Sequence, residues 1–448
     1  MPTPEEIQTC INNLTSGSDI TEMVVLAAET NDVTVDRSIP VAETCNLPDL
    51  VANTISVGTV FFVQSLCIPV VAGVGCWMTL DNRVLRQDYV AADVWSWGLN
   101  NFGQLGDNSI VNKSSPISVV GGYTDWCQIS ASCEFALSVR TNGTAWSWGC
   151  NNVGMLGDNT IVSKSSPVSV IGGFTDWCQI NAGVFHSIAV RTNGTAWAWG
   201  CNGQGRLGDN TVVNKSSPVS VVGGFTDWCQ VSAGVGSSLG VRTNSSIWTW
   251  GCNSFSNLGD NTSVSKSSPV SVVGGFTDWC NASMRYCSSL ALRQNGSLWG
   301  WGLNDLGQLG DNTVTNRSSP VSVVGGFTDW CQVSSGDKFS MAIRQNGTIW
   351  SWGRAAAGIL GDNTTVSKSS PVSVVGGFTD WCQVCGGRVH TVAVRLNGTA
   401  WAWGQNLCGK LGDNTTVSKS SPVSVVGGFT DWCQVSAGGD NSLGIRKY

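Results

Sequence analysis

Hydrophobic and polar residues alternate in short runs through the last four-fifths of the chain, and the same set of runs recurs many times. In one copy the runs span residues 178–182, 187–191, 196–199 and 218–222. Alternation over four or five residues is typical of a β-strand with one buried face. The period of two places Trp197 and Trp199 on the same face of their strand. The pattern therefore predicts four short strands per copy.

The turn residues between the runs support this interpretation. Asn193-Gly194 separates the second and third runs and predicts a type I′ hairpin turn. The copies repeat every 51 residues, and the Trp of a Trp-Gly pair marks each one: Trp97, Trp148, Trp199, Trp250, Trp301, Trp352 and Trp403. Four strands in a unit of this length are typical of a β-propeller blade. We therefore predict an all-β fold, a seven-bladed propeller over residues 93–448.

The two ends of the repeat region are complementary. The first copy begins with the third strand, at residues 94–97, and the last copy stops after the second strand, near residue 446. We therefore expect one split blade, with two strands from residues 94–120 and two from residues 432–446. Sharing a blade removes the free sheet edges that an open ring would leave.

The repeat resembles that of the regulator of chromosome condensation family. The residues that carry the resemblance are Trp-x-Trp-Gly-x-Asn-x-x-Gly-x-Leu-Gly-Asp at 95–107 and Ala-Gly-x-x-His-Ser-x-Ala-Val at 182–190. The resemblance implies a seven-bladed propeller with a split blade. Some members are nucleotide exchange factors for small GTPases, some bind chromatin and many are adaptors.

The chain departs from that family in three respects. The family's strand histidine is kept only at His186 and His390, no copy carries a long insertion, and there is no basic arm. The resemblance therefore implies the fold and not the exchange activity.

Residues 1–92 lack the repeat. Residues 3–6, Thr-Pro-Glu-Glu, form a helix-capping pattern, and apolar residues follow at helical spacing in two stretches. Short runs at 59–63, 68–71, 76–80 and 83–85 then predict strands. We expect a small α+β module for anchoring or assembly rather than a passive cap. Its candidate contact residues are Ile7, Ile11, Leu14, Met23, Val24 and Trp77.

This N-terminal region also resembles modules of tailed-phage structural proteins. About 40 residues carry the resemblance, with Leu-Pro-Asp-Leu at 47–50, the run at 58–63, Gly-Cys-Trp at 75–77 and Leu-Asp-Asn-Arg at 80–83. The resemblance implies that the module attaches an appendage to a particle.

Composition and charge exclude several classes of protein. Hydrophobic residues make up 42% of the chain, so its low charged fraction of 12% does not indicate disorder. Residues 1–92 hold 11 acids and 3 bases, whereas residues 93–448 hold 19 acids and 21 bases, which leaves no basic face for nucleic acid. No apolar run reaches the ~20 residues of a membrane span, so we expect no membrane insertion.

Cysteine usage indicates reduced thiols. Seven of the 18 cysteines follow the Trp of an Asp-Trp-Cys segment, one per copy: Cys127, Cys178, Cys229, Cys280, Cys331, Cys382 and Cys433. Copies 51 residues apart are poorly placed to pair, so buried free thiols and synthesis in the cytoplasm are expected.

Residues with chemical potential are mostly components of the repeat. The Asp of Leu-Gly-Asp-Asn is expected to form an Asx turn, and the repeated Arg to pair with an Asp of the same or the next blade. A ring of loop carboxylates binding cations is the less favoured alternative. The Trp-x-Trp pairs are expected in the core rather than as a sugar-stacking platform.

No catalytic arrangement emerges from the remaining residues. His186 and His390 are the only candidate bases and are expected to be hydrogen-bonded core residues. Cys382 and Cys385 form one isolated pair, without the second pair that a zinc site needs. We therefore predict no enzyme, cofactor or metal site.

These observations favour a non-enzymatic phage virion protein, made in the host cytoplasm, as a capsid decoration, fibre or tail appendage. Its expected partners are virion proteins through residues 1–92 and a host receptor or glycan through the propeller. The alternatives are a cellular adaptor or small-GTPase regulator in the cytoplasm, and a multivalent lectin. Candidate binding residues are those that vary after Trp-Gly: Asn101, Phe102, Asn152, Val153, Gly203, Gln204, Ser254, Phe255, Asp305, Leu306 and Leu407.

Overall fold

The structure is a computed structural model that describes residues 91–448 and, before them, the backbone of four strands. These are β1 (Val60–Val63), β2 (Ile68–Gly73), β3 (Cys76–Thr79) and β4 (Val84–Gln87). They form one antiparallel sheet in chain order. The two expected helices lie outside the described residues, as do Ile7, Ile11, Leu14, Met23, Val24 and the side chain of Trp77.

Residues 92–448 form seven four-stranded antiparallel sheets, the blades of a propeller. The first strand of each blade lines a central cavity shared by all seven blades. From blade one to blade seven these inner strands are β7 (Trp126–Ala131), β11 (Trp177–Ala182), β15 (Trp228–Ala233), β19 (Trp279–Arg285), β23 (Trp330–Ser335), β27 (Trp381–Gly386) and β31 (Trp432–Ala437).

The other three strands of each blade follow outward in order. The second strands are β8 (Phe135–Arg140), β12 (His186–Arg191), β16 (Ser237–Arg242), β20 (Ser288–Arg293), β24 (Phe339–Arg344), β28 (His390–Arg395) and β32 (Asn441–Lys447). The third strands are β9 (Ala145–Gly149), β13 (Ala196–Gly200), β17 (Ile247–Gly251), β21 (Leu298–Gly302), β25 (Ile349–Gly353), β29 (Ala400–Gly404) and β5 (Ala92–Gly98). The fourth strands are β10 (Lys164–Ser169), β14 (Lys215–Ser220), β18 (Lys266–Ser271), β22 (Arg317–Ser322), β26 (Lys368–Ser373), β30 (Lys419–Ser424) and β6 (Lys113–Ser118).

The split blade is confirmed. Blade seven has the strand order β31-β32-β5-β6, so its inner half comes from the end of the chain and its outer half from residues 92–118. β32 pairs with β5 over seven residues, from Asn441 opposite Gly98 to Lys447 opposite Ala92. The N–H of Tyr448 extends the ladder by one more hydrogen bond, to the Ala91 carbonyl, with an N–O distance of 3.0 Å.

Two local predictions are wrong. Gly194 has a φ of 73°, but Asn193 does not have the positive φ that a type I′ turn requires. The N–H of Gly194 bonds to Arg191 O (2.9 Å) and that of Arg191 to Thr195 O (3.0 Å), so the hairpin has a three-residue loop with Gly at its left-handed position.

The fourth strand also begins earlier than predicted, at residue 215 instead of 218. The Val221 N–H still bonds to Ala196 O of the third strand, but the Val222 N–H bonds to Gly208 O of the preceding loop, both at 2.9 Å, so the strand ends at Ser220. The hydrophobic run therefore continues past the end of the strand.

The apolar core lies between neighbouring blades. Between blades one and two, Phe135, Leu137 and Val139 of β8 pack against Trp177 and Trp199 of blade two. Trp197 contacts the same cluster, which confirms that both residues of the Trp-x-Trp pair share one face. The second Trp of each pair is fully buried, and its Nε1 donates to a carbonyl of the preceding blade, as Trp199 does to Met155 O (2.8 Å).

Buried asparagines fix the long connection between the third and fourth strands. Asn202 donates from Nδ2 to Asp209 Oδ1 (2.8 Å) and accepts at Oδ1 from the Leu207 N–H (3.0 Å). Five further copies have the same residue: Asn100, Asn151, Asn253, Asn304 and Asn406. The remaining copy has Ala355, and there the connection forms a short 3-10 helix over Ala356–Gly358.

Side-chain bonds join the inner strands around the cavity. Gln128 of β7 accepts at Oε1 from the Ile180 N–H of β11 (2.9 Å), and an equivalent Gln bridges six of the seven blade interfaces. Asn281 occupies the seventh place, and neither polar atom of its buried side chain has a hydrogen-bond partner among the described residues. A second set of bonds, such as Ala182 N–H to Ser130 Oγ (2.9 Å), runs parallel to the first.

Candidate interaction face

The connections between strands lie at two opposite ends of the propeller. In every blade, the loop between the first and second strands accepts a backbone hydrogen bond from the start of the loop between the third and fourth strands. In blade one, for example, the Cys150 N–H donates to Glu134 O (2.8 Å). These fourteen connections form what we call the upper face, at residues 99–112 and 132–134 and their equivalents at steps of 51. The hairpins between second and third strands, and the links between blades, form the lower face.

The two faces differ in how far their sequence varies among blades. The links of the lower face read Gly-Gly-Phe-Thr-Asp-Trp in six copies and differ by one residue, Tyr123, in the other. On the upper face, the residues equivalent to 101–102 and 132–134 change from blade to blade. Since all blades have the same backbone plan, the fold does not account for this variation.

All eleven candidate binding residues predicted from the sequence lie on the upper face, at equivalent places in six of the seven blades. Val153 and Leu306 are half-buried, and the other nine are exposed. Phe102, Phe255 and Leu407 are 41%, 40% and 68% exposed, large values for apolar side chains. Whether these residues bind a partner stays a prediction.

Sequence reasoning missed the second group of variable residues on this face, those between the first and second strands. They include Phe185, which is 41% exposed, and the charged residues Arg285, Asp337 and Arg388. The sequence does carry a signal for them, because the residues just before the second strand vary among copies, as do the residues after Trp-Gly.

The charged residues of the upper face form a cluster around the mouth of the cavity. Lys338 pairs with Asp305 (2.7 Å), and Arg388 and Lys410 both pair with Asp440. The Lys410 side chain is fully buried and also donates to Gln405 Oε1 (3.0 Å).

Asp337 lies among these cations, and its buried Oδ1 has no hydrogen-bond partner within residues 91–448. Burial raises its pKa above the usual aspartate range, against the opposing effect of Arg285, Arg354, Lys338 and Arg388. The carboxylate is therefore surrounded by positive charge but not neutralised by a direct ion pair.

The two histidines are core residues, as expected. Each Nε2 lies 2.8 Å from a serine hydroxyl of the next blade, Ser238 for His186 and Ser442 for His390. Ser238 Oγ donates to Arg206 O (2.8 Å), so Nε2 of His186 carries the proton. Burial, and then the nearby Arg206, lowers the pKa of His186 well below the ordinary value.

The repeated charged residues are structural, as expected. Asp107 accepts from the Ser109 N–H (3.1 Å) in an Asx turn. Arg191 pairs with Asp176 of its own blade (2.8 Å), and its guanidinium lies 4.1 Å from the centre of the Phe174 ring.

The expected burial of the repeated thiols is wrong for one of the seven. The fourteen cysteines from 127 onward are free, and Cys229, Cys280, Cys331 and Cys433 are buried. Cys127 and Cys382 are half-buried, and burial raises the pKa of Cys127 to about 12. Cys178 is exposed, so this copy of the repeated thiol is not part of the core.

Among the described residues, no group of His, Cys, Asp and Glu side chains is arranged to hold a metal ion. Within the same part of the chain, no helix has the length and apolar character that crossing a bilayer requires.

Comparison with known families agrees with the fold. Six segments match the regulator of chromosome condensation (RCC1) repeat: residues 92–139, 142–190, 193–241, 295–343, 346–394 and 397–445. The chain belongs to the RCC1 repeat family. A second description of this repeat matches residues 177–206 and 330–358. The six segments pass over residues 242–294, the stretch that contains Asn281 and Arg285.

Curated relatives share the repeat at low identity. Mouse E3 ubiquitin-protein ligase HERC2 is 26% identical over 355 residues, which are 75% of this chain but 7% of HERC2. The ultraviolet-B receptor UVR8 of Arabidopsis thaliana is 27% identical over 346 residues, 73% of this chain and 76% of UVR8. The Drosophila melanogaster regulator of chromosome condensation is 24% identical over 379 residues, 80% of this chain and 69% of that protein.

Solved structures show the same fold. Human WBSCR16 superposes with a TM-score of 0.72 at 19% identity, covering 80% of this chain and 99% of that one. Prp20p of Saccharomyces cerevisiae, described with its binding to Gsp1p and histones, has a TM-score of 0.72 at 21% identity, covering 80% and 92%.

These relatives overturn the expectation of a phage virion protein. They are proteins of mouse, Arabidopsis, Drosophila, human and yeast cells, so the predicted virion partners, host-surface receptor and virion location are wrong. The cellular alternative fits better. The error arose because the phage resemblance rested on about 40 residues of residues 1–92, whereas the family matches begin at residue 92.

Proposed function

We propose that this chain is a cellular regulatory protein whose propeller binds another protein through its upper face and catalyses no reaction itself. The contrast between the two faces carries this proposal. The links of the lower face differ by a single residue among the seven copies, whereas on the upper face the copies differ and expose apolar side chains. Exposed apolar groups within a polar surround favour contact with a protein.

The family supports a protein as the partner. Prp20p, of the same fold, is described as binding Gsp1p and histones. The proposal does not extend to nucleotide exchange on a GTPase, because every copy keeps the 51-residue step and no blade carries an inserted segment of its own. We also propose that residues 1–92 form a module separate from the propeller of residues 93–448, although the first blade strand begins one residue earlier, at Ala92.

The experiment is affinity capture with cross-linking from cells that make the protein. A variant of the upper face, Phe102→Ser/Phe255→Ser/Leu407→Ser, is expected to lose the captured partner. The matched control alters exposed residues of the lower face, Thr175→Ala/Thr226→Ala/Thr328→Ala, and is expected to retain it. If the lower-face control loses the partner and the upper-face variant retains it, the contact lies on the lower face and the proposal is wrong.

A further inference from the structure

Six basic residues on the upper face depart from the repeat. One of them, Arg206 of blade two, is buried and donates from Nη1 to Val235 O (2.8 Å). The other five lie in blades four to six, and we call them the basic mouth: Arg285, Lys338, Arg354, Arg388 and Lys410. The position of Arg285 holds Ser or Gly in the other six copies, and that of Arg354 holds Leu, Cys or Gln. At each of these two positions the six other copies fold without the charge, so the propeller itself does not require it.

The basic mouth converges on the entrance of the central cavity. Arg285 lines the cavity and reaches across it, because its Nη1 donates to Ala437 O (3.1 Å) on the inner strand of blade seven, three blades further round. Arg354 N bonds to Lys338 O (2.8 Å), which holds these two basic residues side by side. Arg388 N bonds to Gly438 O (3.0 Å) of blade seven.

The positive charge of the basic mouth is only partly neutralised. Lys338 has Asp305, Arg388 and Lys410 share the carboxylate of Asp440, and Asp337 lies among the same cations, so five basic residues face three acidic ones. Arg285 and Arg354 form no ion pair with any described residue. A concave site with surplus charge focuses its field on a ligand of opposite sign.

The geometry points to an acidic peptide segment, a run of Asp and Glu side chains on a partner protein, as the ligand of the basic mouth. This inference rests on the proposed function and names the chemistry of the partner. Guanidinium groups bind carboxylates through two parallel hydrogen bonds. Leu407, 68% exposed and three residues from Lys410, offers an apolar contact beside the charges that a peptide would use.

A protein segment fits this surface better than nucleic acid does. The residues of the basic mouth occupy one sector of the upper face. Each connection between third and fourth strands also places an aspartate on this face, from Asp107 to Asp413. The chain as a whole has a net charge of −6. A nucleic-acid backbone needs an extended track of positive charge, which this distribution does not provide.

The test uses the full-length protein and a fluorescein-labelled octaglutamate peptide, with binding followed by fluorescence anisotropy. We expect binding that weakens as salt rises from low to physiological concentration. The double variant Arg285→Gln/Arg354→Gln should lower the affinity by about tenfold or more. The matched control, Lys164→Gln/Lys266→Gln, removes the same charge from repeated positions of the fourth strands and should bind nearly as wild type.

Equal binding by the two double variants overturns the inference, as does tighter binding of a single-stranded oligonucleotide of the same charge. Arg285→Lys/Arg354→Lys, which keeps the charge, should retain more affinity than the Gln variant if both remain folded by thermal melting. If octaglutamate does not bind but the upper-face variant still loses its captured protein, the acidic-segment inference fails and the proposed function stands.

Discussion

Ser245 has a backbone conformation that glycine adopts in the equivalent hairpins. Its φ is 61°, and the corresponding Gly194 has a φ of 73°. A Cβ in this region costs about 1 kcal/mol, and one built on Gly194 would meet the carbonyl of Thr226. We therefore expect Ser245→Gly to raise the free energy of unfolding by about 1 kcal/mol, measured from urea denaturation midpoints. The control Gly194→Ser should lower it, and a loss of stability in both variants would contradict the strain argument.

The buried histidines make stability depend on pH. Burial lowers the pKa of both His186 and His390 well below the ordinary value near 6.5, so the unfolded chain binds protons that the folded chain does not. The stability that depends on keeping these histidines neutral is therefore fully present above pH ~6.5. Below that pH the free energy of unfolding falls, by up to ~1.4 kcal/mol per pH unit for each histidine.

The variant that removes both titrating side chains is His186→Asn/His390→Asn. Asn is chosen because Asn441 already occupies the equivalent position. Urea midpoints of wild type should fall between pH 7 and pH 5.5, and those of the variant should fall less. Parallel slopes for the two proteins would show that other groups determine the acid sensitivity.

At the scale of elements, the interface between blades four and five lacks a bond that the other six have. Asn281 is one methylene shorter than the Gln of the other blades, and both of its side-chain polar atoms are buried without a partner in the part of the chain that the structure describes. Val333 occupies the place whose N–H donates to the Gln oxygen elsewhere, as the Val231 N–H donates to Gln179 Oε1 (2.7 Å). Asn281→Gln should restore the bond and raise the free energy of unfolding by about 1 kcal/mol.

The reverse change at the neighbouring interface, Gln230→Asn, is the matched control for the Asn281 variant. It removes the bond from Ala282 N–H to Gln230 Oε1 (3.0 Å) and should lower stability by a similar amount. Thermal melting of both variants measures the effect. A destabilised Asn281→Gln protein would mean that the interface has no room for the longer side chain.

The elements were predictable because seven copies of one pattern repeat with a constant step. The alternation around Trp197 and Trp199 identified the third strand, and the incomplete end copies identified the split blade. Local details were not predictable, because bonds from outside the hairpin decide them. The N–H of Val222, for example, bonds to Gly208 O of the preceding loop and so ends the fourth strand.

The candidate site was predictable only in part. Variation after Trp-Gly marks residues such as Phe102 and Phe255 in the sequence alone. The basic mouth is assembled from residues far apart in the chain, with Arg285 reaching a carbonyl 152 residues away. Only the closed ring brings these residues together, so their joint charge could not be read from local sequence.

At the scale of the whole molecule, ring closure depends on the last two strands. β31 and β32 supply the inner half of blade seven, and β31 also joins blade one, where Gln434 and Ser436 accept from the N–H groups of Ile129 and Ala131. Deleting residues 432–448 would leave the edge of β5 unpaired and remove both of these side-chain acceptors. Unpaired strand edges promote aggregation.

We therefore expect the protein lacking residues 432–448 to be insoluble or to show no cooperative unfolding transition. The control lacks Tyr448 alone, which removes its bonds to Ala91 O (3.0 Å) and Asp93 Oδ2 (2.6 Å) but leaves β32 otherwise intact, and it should remain soluble. Size-exclusion chromatography and thermal melting distinguish the two proteins. Since β32 contributes seven paired residues to the closure with β5, a soluble protein with an unchanged melting temperature after the longer deletion would show that the ring closes without them.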